Sequence, residues 1–276
     1  MNKTAANVSD FVNPEISGEY FISEHTFFYI KEGTTKCYDG SKTQIFKSNE
    51  FGLIRKNRLA KYSKEKPAAE SQTVFIIFDE SFLKKFQEKY KVKIEKFTSS
   101  STFIPIKYNQ KISECTLSLS MPYHSSGKAQ DRLADTKQEE LLLAILNSQP
   151  ELSGVFFDFG IPEKINLEAF MNKNYMFNVS IPRFAYLTGR SLSAFKRDFK
   201  TTLNKTPNRW LVQKRLEEAY FLIDKKGKKP SEIYLDLGFE TLQHFSFAFK
   251  KQFGMTLTDL VEQKNTSNLF AGTRKN

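Results

Sequence analysis

The sequence predicts an α+β protein in two parts. The first is an antiparallel β module, a small barrel or double-sheet roll, with trailing helices. The second is all helical, with two helix-turn-helix units joined by a linker helix. Three observations carry this expectation. Apolar residues come in short aromatic and β-branched runs before Ser81 and at helical spacing after it. A helix, a turn and a second helix ending in Phe-Lys are written twice, at 180–203 and 230–254, setting Phe199-Lys200 and Phe249-Lys250 fifty residues apart. The net charge of +11 is also lopsided: residues 166–276 hold 19 Lys and Arg against 10 Asp and Glu, and residues 1–165 hold 23 against 21. A basic half beside a near-neutral half is the electrostatic footprint of a polyanion-binding module attached to something else.

The length of 276 residues suits about two domains. Residues 1 to about 20 are polar, with Pro14 and Gly18, and read as a loose lead-in without the apolar segment of a secretory signal. No apolar run is long enough to cross a membrane, so a cytoplasmic protein is expected. Strands are expected in EHTFFYIKEG (24–33), SNEFGLIRKN (48–57) and QTVFIIFDE (72–80), and Asp39-Gly40 signals a hairpin. From Ser81 the period becomes helical, with Phe82, Phe86 and Tyr90 on one face. Two more helices are expected in KYNQKISECTLSLSM and DTKQEELLLAILNSQ, separated by SSGK (125–128). The stripe of Leu141, Leu142, Ile145 and Leu146 on the latter packs either back onto the β module or against a second subunit. QPELSGVFFDFGIPEK, with two Pro and two Gly, reads as the linker into the basic half.

Several function classes are disfavoured. Cys37 and Cys115 have neither metal nor disulfide-framework spacing and read as small semi-buried residues. The three histidines, His25, His124 and His244, are scattered, and metal enzymes need them clustered with carboxylates. No metal, cofactor or catalytic constellation is therefore expected, and His25 reads as a hydrogen-bonded structural residue. An RNA-binding protein would need an aromatic sheet platform that the basic half lacks.

In that half, INLEAFMNKNYMFNVS is expected to form a helix with Leu167, Phe170 and Met171 inward. The first unit has Pro182 in its opening turn, Gly189 at the bend and Ser191 as the cap of the second helix. Phe195 and Phe199, at i and i+4, should face the core and turn Ser193, Lys196, Arg197 and Lys200 outward. Thr206-Pro207 starts the connecting rod, on which Leu211, Arg215, Leu216, Ala219 and Leu222 recur at helical spacing. KKGKK (225–229) ends it. The second unit repeats the grammar: Pro230 opens, Ile233 and Leu237 bury, Gly238 turns, Thr241 caps, and Phe245 with Phe249 hold the helix down. Leu242, Gln243, Ser246 and Phe247 should then face outward, Gly254 should stop the helix, and a short final helix, TLTDLVEQK, should follow.

These residues resemble the DNA-binding domain of the AraC/XylS family of bacterial transcription regulators. The first unit matches through Ala185, Gly189, Ser191, Phe195, Arg197, Phe199-Lys200 and Pro207, and the rod through Arg215-Leu216 and Ala219. The second matches through Ile233, Gly238-Phe239, His244-Phe245-Ser246, Phe249-Lys250-Lys251 and Phe253-Gly254. Departures are Pro230, Tyr234, Leu257 and Val261, and the apolar Leu242 and Phe247 where the family commonly has polar residues or Arg. The resemblance implies a cupin-like antiparallel β barrel at 1–110 as a sensor, a helical dimerisation or linker region at 111–160, a DNA-binding domain at 161–265, and a disordered tail at 266–276. It implies double-stranded DNA and RNA polymerase as partners, and activation more often than repression. A small-molecule effector is expected at the first domain; the alternatives are homodimerisation or docking of a regulatory protein, and, remotely, a metal-independent cupin-like enzyme.

The implied base-reading residues are Ser193, Lys196 and Arg197 on one helix and Leu242, Gln243 and Phe247 on the other. Leu242 or Phe247 is expected either to touch a thymine methyl group or, for Phe247, to pack against the rod or a partner. Phosphate contacts fall to Ser191, Lys200, Lys205, Arg209, Lys214, Thr241, Ser246, Lys250 and Lys251. The two helices are expected in major grooves one turn, about 34 Å, apart.

Overall fold

The computed structural model describes residues 20–64, 72–120 and 128–263. The expected lead-in, the SSGK separator except for its Lys128, His124 and the C-terminal tail lie outside these residues. The chain divides into two compact units at Ile161/Pro162.

In the first unit the residues expected to be strands pair antiparallel throughout. β1 (Phe21–Ile22) pairs with β6 (Arg58–Leu59). A four-stranded sheet has the order β8 (Gln72–Phe78), β2 (His25–Glu32), β5 (Phe51–Ile54), β9 (Phe103–Ile106). A three-stranded sheet has β3 (Thr34–Tyr38) between β4 (Thr43–Lys47) and β7 (Lys61–Lys64). The Asp-Gly hairpin joins β3 to β4, with Asp39 Oδ1 accepting from the Ser41 and Lys42 N–H groups at 2.9 and 3.0 Å.

β2 explains why the strands show little alternation. Phe27 and Tyr29 point into a cluster shared with the helices, whereas Phe28 and Ile30 point into a second cluster with Cys37 and Phe46 of the three-stranded sheet. A strand covered on both faces needs apolar residues on both, so the period-2 signal is lost. The sheets are open among the described residues: the antiparallel β-rich unit is as expected, and closure into a cupin-like barrel is not confirmed. The aromatic interior is core, with Phe27, Phe28, Phe51, Phe75 and Phe78 all at most 5% exposed.

Helices α1 (Glu80–Tyr90), α2 (Gln110–Ser120), α3 (Lys128–Ser148) and α4 (Ser153–Phe156) cover one face of the larger sheet. Asp79 caps α1 by accepting from the Phe82 N–H at 2.8 Å. The leucine stripe of α3 settles between its two expected placements. Leu141, Leu142 and Ile145 are 0% exposed in the same cluster as Val74, Ile76 and Phe78, and Gln138 Nε2 donates to the Ile77 carbonyl at 2.7 Å. The stripe is therefore core of its own unit and not a face left for a second subunit. Buried residues of α2, α3 and α4 share one core with the strands.

The second unit begins with α5 (Leu167–Asn174), capped by Asn166 and burying Leu167 and Met171, with Phe170 half-buried. α6 (Ile181–Leu187) and α7 (Leu192–Leu203) form the first helix-turn-helix. α8 (Pro207–Asp224) is the connecting rod. α9 (Pro230–Ile233) and α10 (Leu242–Phe253) form the second unit, and α11 spans 257–263. α8 buries Trp210, Leu211, Arg215, Leu216, Ala219 and Ile223, while Leu222 is only half-buried. A rod apolar on several sides is one on which both units pack. Phe199 meets the Trp210 ring edge-on at 5.7 Å, and Tyr220 lies 6.3 Å from Phe249.

Candidate nucleic-acid interface

α7 and α10 are built alike from the residues upward. Ser191 Oγ accepts from the Ala194 N–H at 3.3 Å and Thr241 Oγ1 from the His244 N–H at 3.1 Å, so each helix starts on a hydroxyl cap. Each runs twelve residues and stops at a left-handed residue, Asn204 (φ 52°) and Gly254 (φ 71°). Phe195, Phe199, Phe245 and Phe249 are all 0% exposed. These pairs fix the rotation of each helix about its own axis, which leaves the opposite face in solvent.

The turns before the two helices demand glycine for more than conformation. Gly189 has φ 65°, and a Cβ there would meet the Glu163 carbonyl carbon at 2.3 Å. Gly238 has φ 78°, and its Cβ would meet the Arg215 guanidinium at 2.7 Å.

Ser193, Lys196, Arg197 and Lys200 of α7 are exposed, as are Leu242, Gln243, Phe247, Lys250 and Lys251 of α10 and Arg209 of α8. Phe247 is 70% and Leu242 40% exposed, so Phe247 does not pack into the rod. Arg197 Nη2 donates to Asp198 Oδ1 at 3.4 Å, and three expected phosphate contacts are also partly engaged within the protein. Lys205 Nζ donates to Gln213 Oε1 at 2.6 Å, Lys214 Nζ lies 3.6 Å from Glu217 and 5.9 Å from the Trp210 ring centre, and the Ser246 hydroxyl donates to the Leu242 carbonyl at 2.8 Å. All three are half-buried. Ser191 and Thr241 are exposed but act first as caps.

Two arginines that sequence reasoning did not assign hold this surface in place. Arg190 Nε donates to Asp198 Oδ2 at 3.1 Å, and its Nη1 donates to the carbonyls of Thr188 and Ile165 at 2.7 and 3.0 Å. Arg190 holds the Asp198 carboxyl below its ordinary pKa, helped by Lys164 and Arg197. Arg215 is buried. Its Nε donates to the Tyr175 carbonyl at 2.7 Å, Nη1 to Gly238 at 2.8 Å and Nη2 to Phe177 at 2.9 Å. Burial pushes its guanidinium down to about 10, which leaves it charged at neutral pH. A basic residue on the apolar stripe of α8 was the available signal: an arginine at a core position must find several acceptors.

Two helix-turn-helix units on one shared helix, each presenting a capped helix with an exposed face, define a doubled DNA-binding module. Residues 184–263 match the family described as a helix-turn-helix domain, and residues 25–155 match the ExsA N-terminal regulatory domain. The chain belongs to the AraC/XylS family of transcriptional regulators. It is 28% identical over 120 residues to the virulence regulon transcriptional activator VirF of Yersinia enterocolitica, covering 43% of this chain and 44% of that one. It is 27% identical over 126 residues to the HTH-type transcriptional regulator ExsA of Pseudomonas aeruginosa, covering 45% of each. The matches thus span less than half the length of these relatives. Among solved structures, ToxT from Vibrio cholerae is 12% identical, with 88% of this chain and 91% of that one covered and a TM-score of 0.39.

Proposed function

We propose that the protein is a sequence-specific DNA-binding transcriptional activator that works in the cytoplasm with RNA polymerase, its first unit being regulatory. The single observation that carries the DNA reading is the pair of twelve-residue helices, identically capped and pinned, with exposed faces in a unit that holds most of the net positive charge. The relative VirF is a transcriptional activator, which supports activation over repression. Ser193, Lys196 and Arg197 read base edges from α7; Leu242, Gln243 and Phe247 face them from α10. Lys200, Arg209, Lys250 and Lys251 bind phosphates and set register, with Lys205, Lys214, Ser191, Thr241 and Ser246 in support.

Among the described residues no helix is long and apolar enough to cross a membrane, in keeping with a protein that meets DNA in solution. The first unit answers to a small molecule, a regulatory protein or a second copy of the chain; a groove of about 400 Å³ lined by Lys42, Thr43, Gln44, Ser101 and Phe103 offers the first of these a place.

The roles separate in a binding experiment on a randomised duplex library. Arg197→Ala should relax selectivity at one base position by about 1–3 kcal/mol. Lys250→Ala should weaken all sequences about equally and reduce the slope of log K against log salt by about one. Uniform loss in both variants would refute the division between reading and anchoring.

A further inference from the structure

α7 and α10 are one scaffold carrying two chemistries. They start fifty residues apart and share their length, caps and buried Phe pairs, so their outward positions correspond one to one. Ser193 corresponds to Gln243, Lys196 to Ser246 and Arg197 to Phe247. Lys196 and Arg197 therefore have no cationic counterpart on α10, whereas Lys200 is matched by Lys250. Of the polar groups left on α10, Thr241 caps and the Ser246 hydroxyl bonds to the Leu242 carbonyl, while the exposed His244 ring stands edge-on to Phe239 at 5.6 Å. What α10 offers outward is a phenyl ring 70% exposed, a leucine 40% exposed, the Gln243 amide and the His244 imidazole; Leu242 has a counterpart in Leu192 of α7, 38% exposed, so the two faces differ chiefly in Phe247 against Arg197.

We propose that α10 recognises thymine by its C5 methyl group, through Phe247 and Leu242, while α7 recognises bases by hydrogen bonds. The two halves of the DNA site are then read by unlike chemistry. The inference rests on the DNA-binding function proposed above. The thymine methyl is the apolar feature that base pairs show in the major groove, so it is the complement that an apolar reading face requires. Lys250 and Lys251, exposed in the last turn of the same helix, favour a phosphate-bearing occupant over a protein surface, whose contact cores are poor in lysine.

The test uses the full chain and a duplex that it selects from a library randomised over about 20 base pairs. That duplex is rebuilt with deoxyuridine in place of thymine, one position at a time, which removes the methyl group and nothing else. One or two thymines in one half of the site should each lose about fourfold in affinity, the worth of one buried methyl group. Phe247→Ala or Leu242→Ala should abolish that penalty, and Arg197→Ala should leave it intact. Both α10 positions are exposed, so the variants should melt as the parent does. Equal binding of thymine and uracil duplexes overturns thymine reading while leaving selective DNA binding in place. So does a penalty that survives both α10 substitutions, or Phe247→Ala with unchanged base selectivity, which would assign the ring to a protein partner. A selection that yields no preferred duplex overturns both readings.

Discussion

Arg215→Met tests what holds the two helix-turn-helix units in one arrangement. The guanidinium bonds to the carbonyls of Tyr175 and Phe177, ahead of the first unit, and of Gly238, in the turn of the second, at 2.7–2.9 Å. Three bonds from a charged donor are worth about 1.5–3 kcal/mol each, or roughly 5–9 kcal/mol together. Against this stands the burial of the charge: the lowering of its pKa to about 10 corresponds to a cost of about 3 kcal/mol. The balance predicts that the substitution destabilises the second unit by about 2–6 kcal/mol. For a unit of this size, at about 4 °C per kcal/mol, that lowers the melting temperature by roughly 8–25 °C. Calorimetry of the full chain, watching the transition of the second unit, measures it. Arg215→Lys should recover less than half, because one ammonium on a flexible stem cannot serve three carbonyls as a planar fork does. A lysine variant that melts with the parent, or a methionine variant shifted by under 2 °C, would refute the assignment of Arg215 as the tie.

Two further predictions follow from the same kind of reasoning. His25 is buried, accepts from the Lys56 N–H at 3.3 Å through Nδ1, and is pushed down to about 3 by burial and then by Lys56 and Arg55. Since the unfolded chain takes up a proton near pH 6.5 and the folded chain does not, the first unit loses stability as pH falls below about 6.5. The loss is about 2 kcal/mol between pH 7 and 5, and His25→Gln should flatten that dependence in acid melts. Separately, Ser191→Ala and Thr241→Ala should each destabilise by about 1 kcal/mol, with Ser191→Gly and Thr241→Gly costing only a few tenths; denaturant midpoints distinguish these from a loss confined to DNA binding.

The second unit was legible because its signals are local. The cap Ser191, the turn Gly189, Pro182 in the opening turn and the pair Phe195/Phe199 lie within one short stretch, and each dictates conformation through its immediate neighbours. Arg215 was not legible as a tie, because its acceptors lie 40, 38 and 23 residues away and only the folded chain brings them together. The α3 stripe failed for a related reason. Leu141, Leu142 and Ile145 declare that one face must leave water, but nothing in their spacing says whether the covering surface belongs to the same unit or another copy. The barrel expectation rested on strands whose existence was readable and whose closure was not: pairing such as β5 with β9 joins residues 51–54 to 103–106, across three other strands and a helix.

The repeat also separates what the fold requires from what the surface is free to carry. What α7 and α10 share includes the residues that folding requires, the two Phe pairs, the hydroxyl caps and the left-handed stops, together with the exposed pairs Leu192/Leu242 and Lys200/Lys250. Among the positions where they differ, 193/243, 196/246 and 197/247 carry side chains exposed in all but Ser246. Exchanging Arg for Phe at an exposed helical position changes stability by only tenths of a kcal/mol, far below the cost of losing either core Phe. Folding therefore places almost no constraint on that position. Phe247, 70% exposed at the position of Arg197, is thus not fixed by folding, and the thymine reading proposed above gives that ring a role.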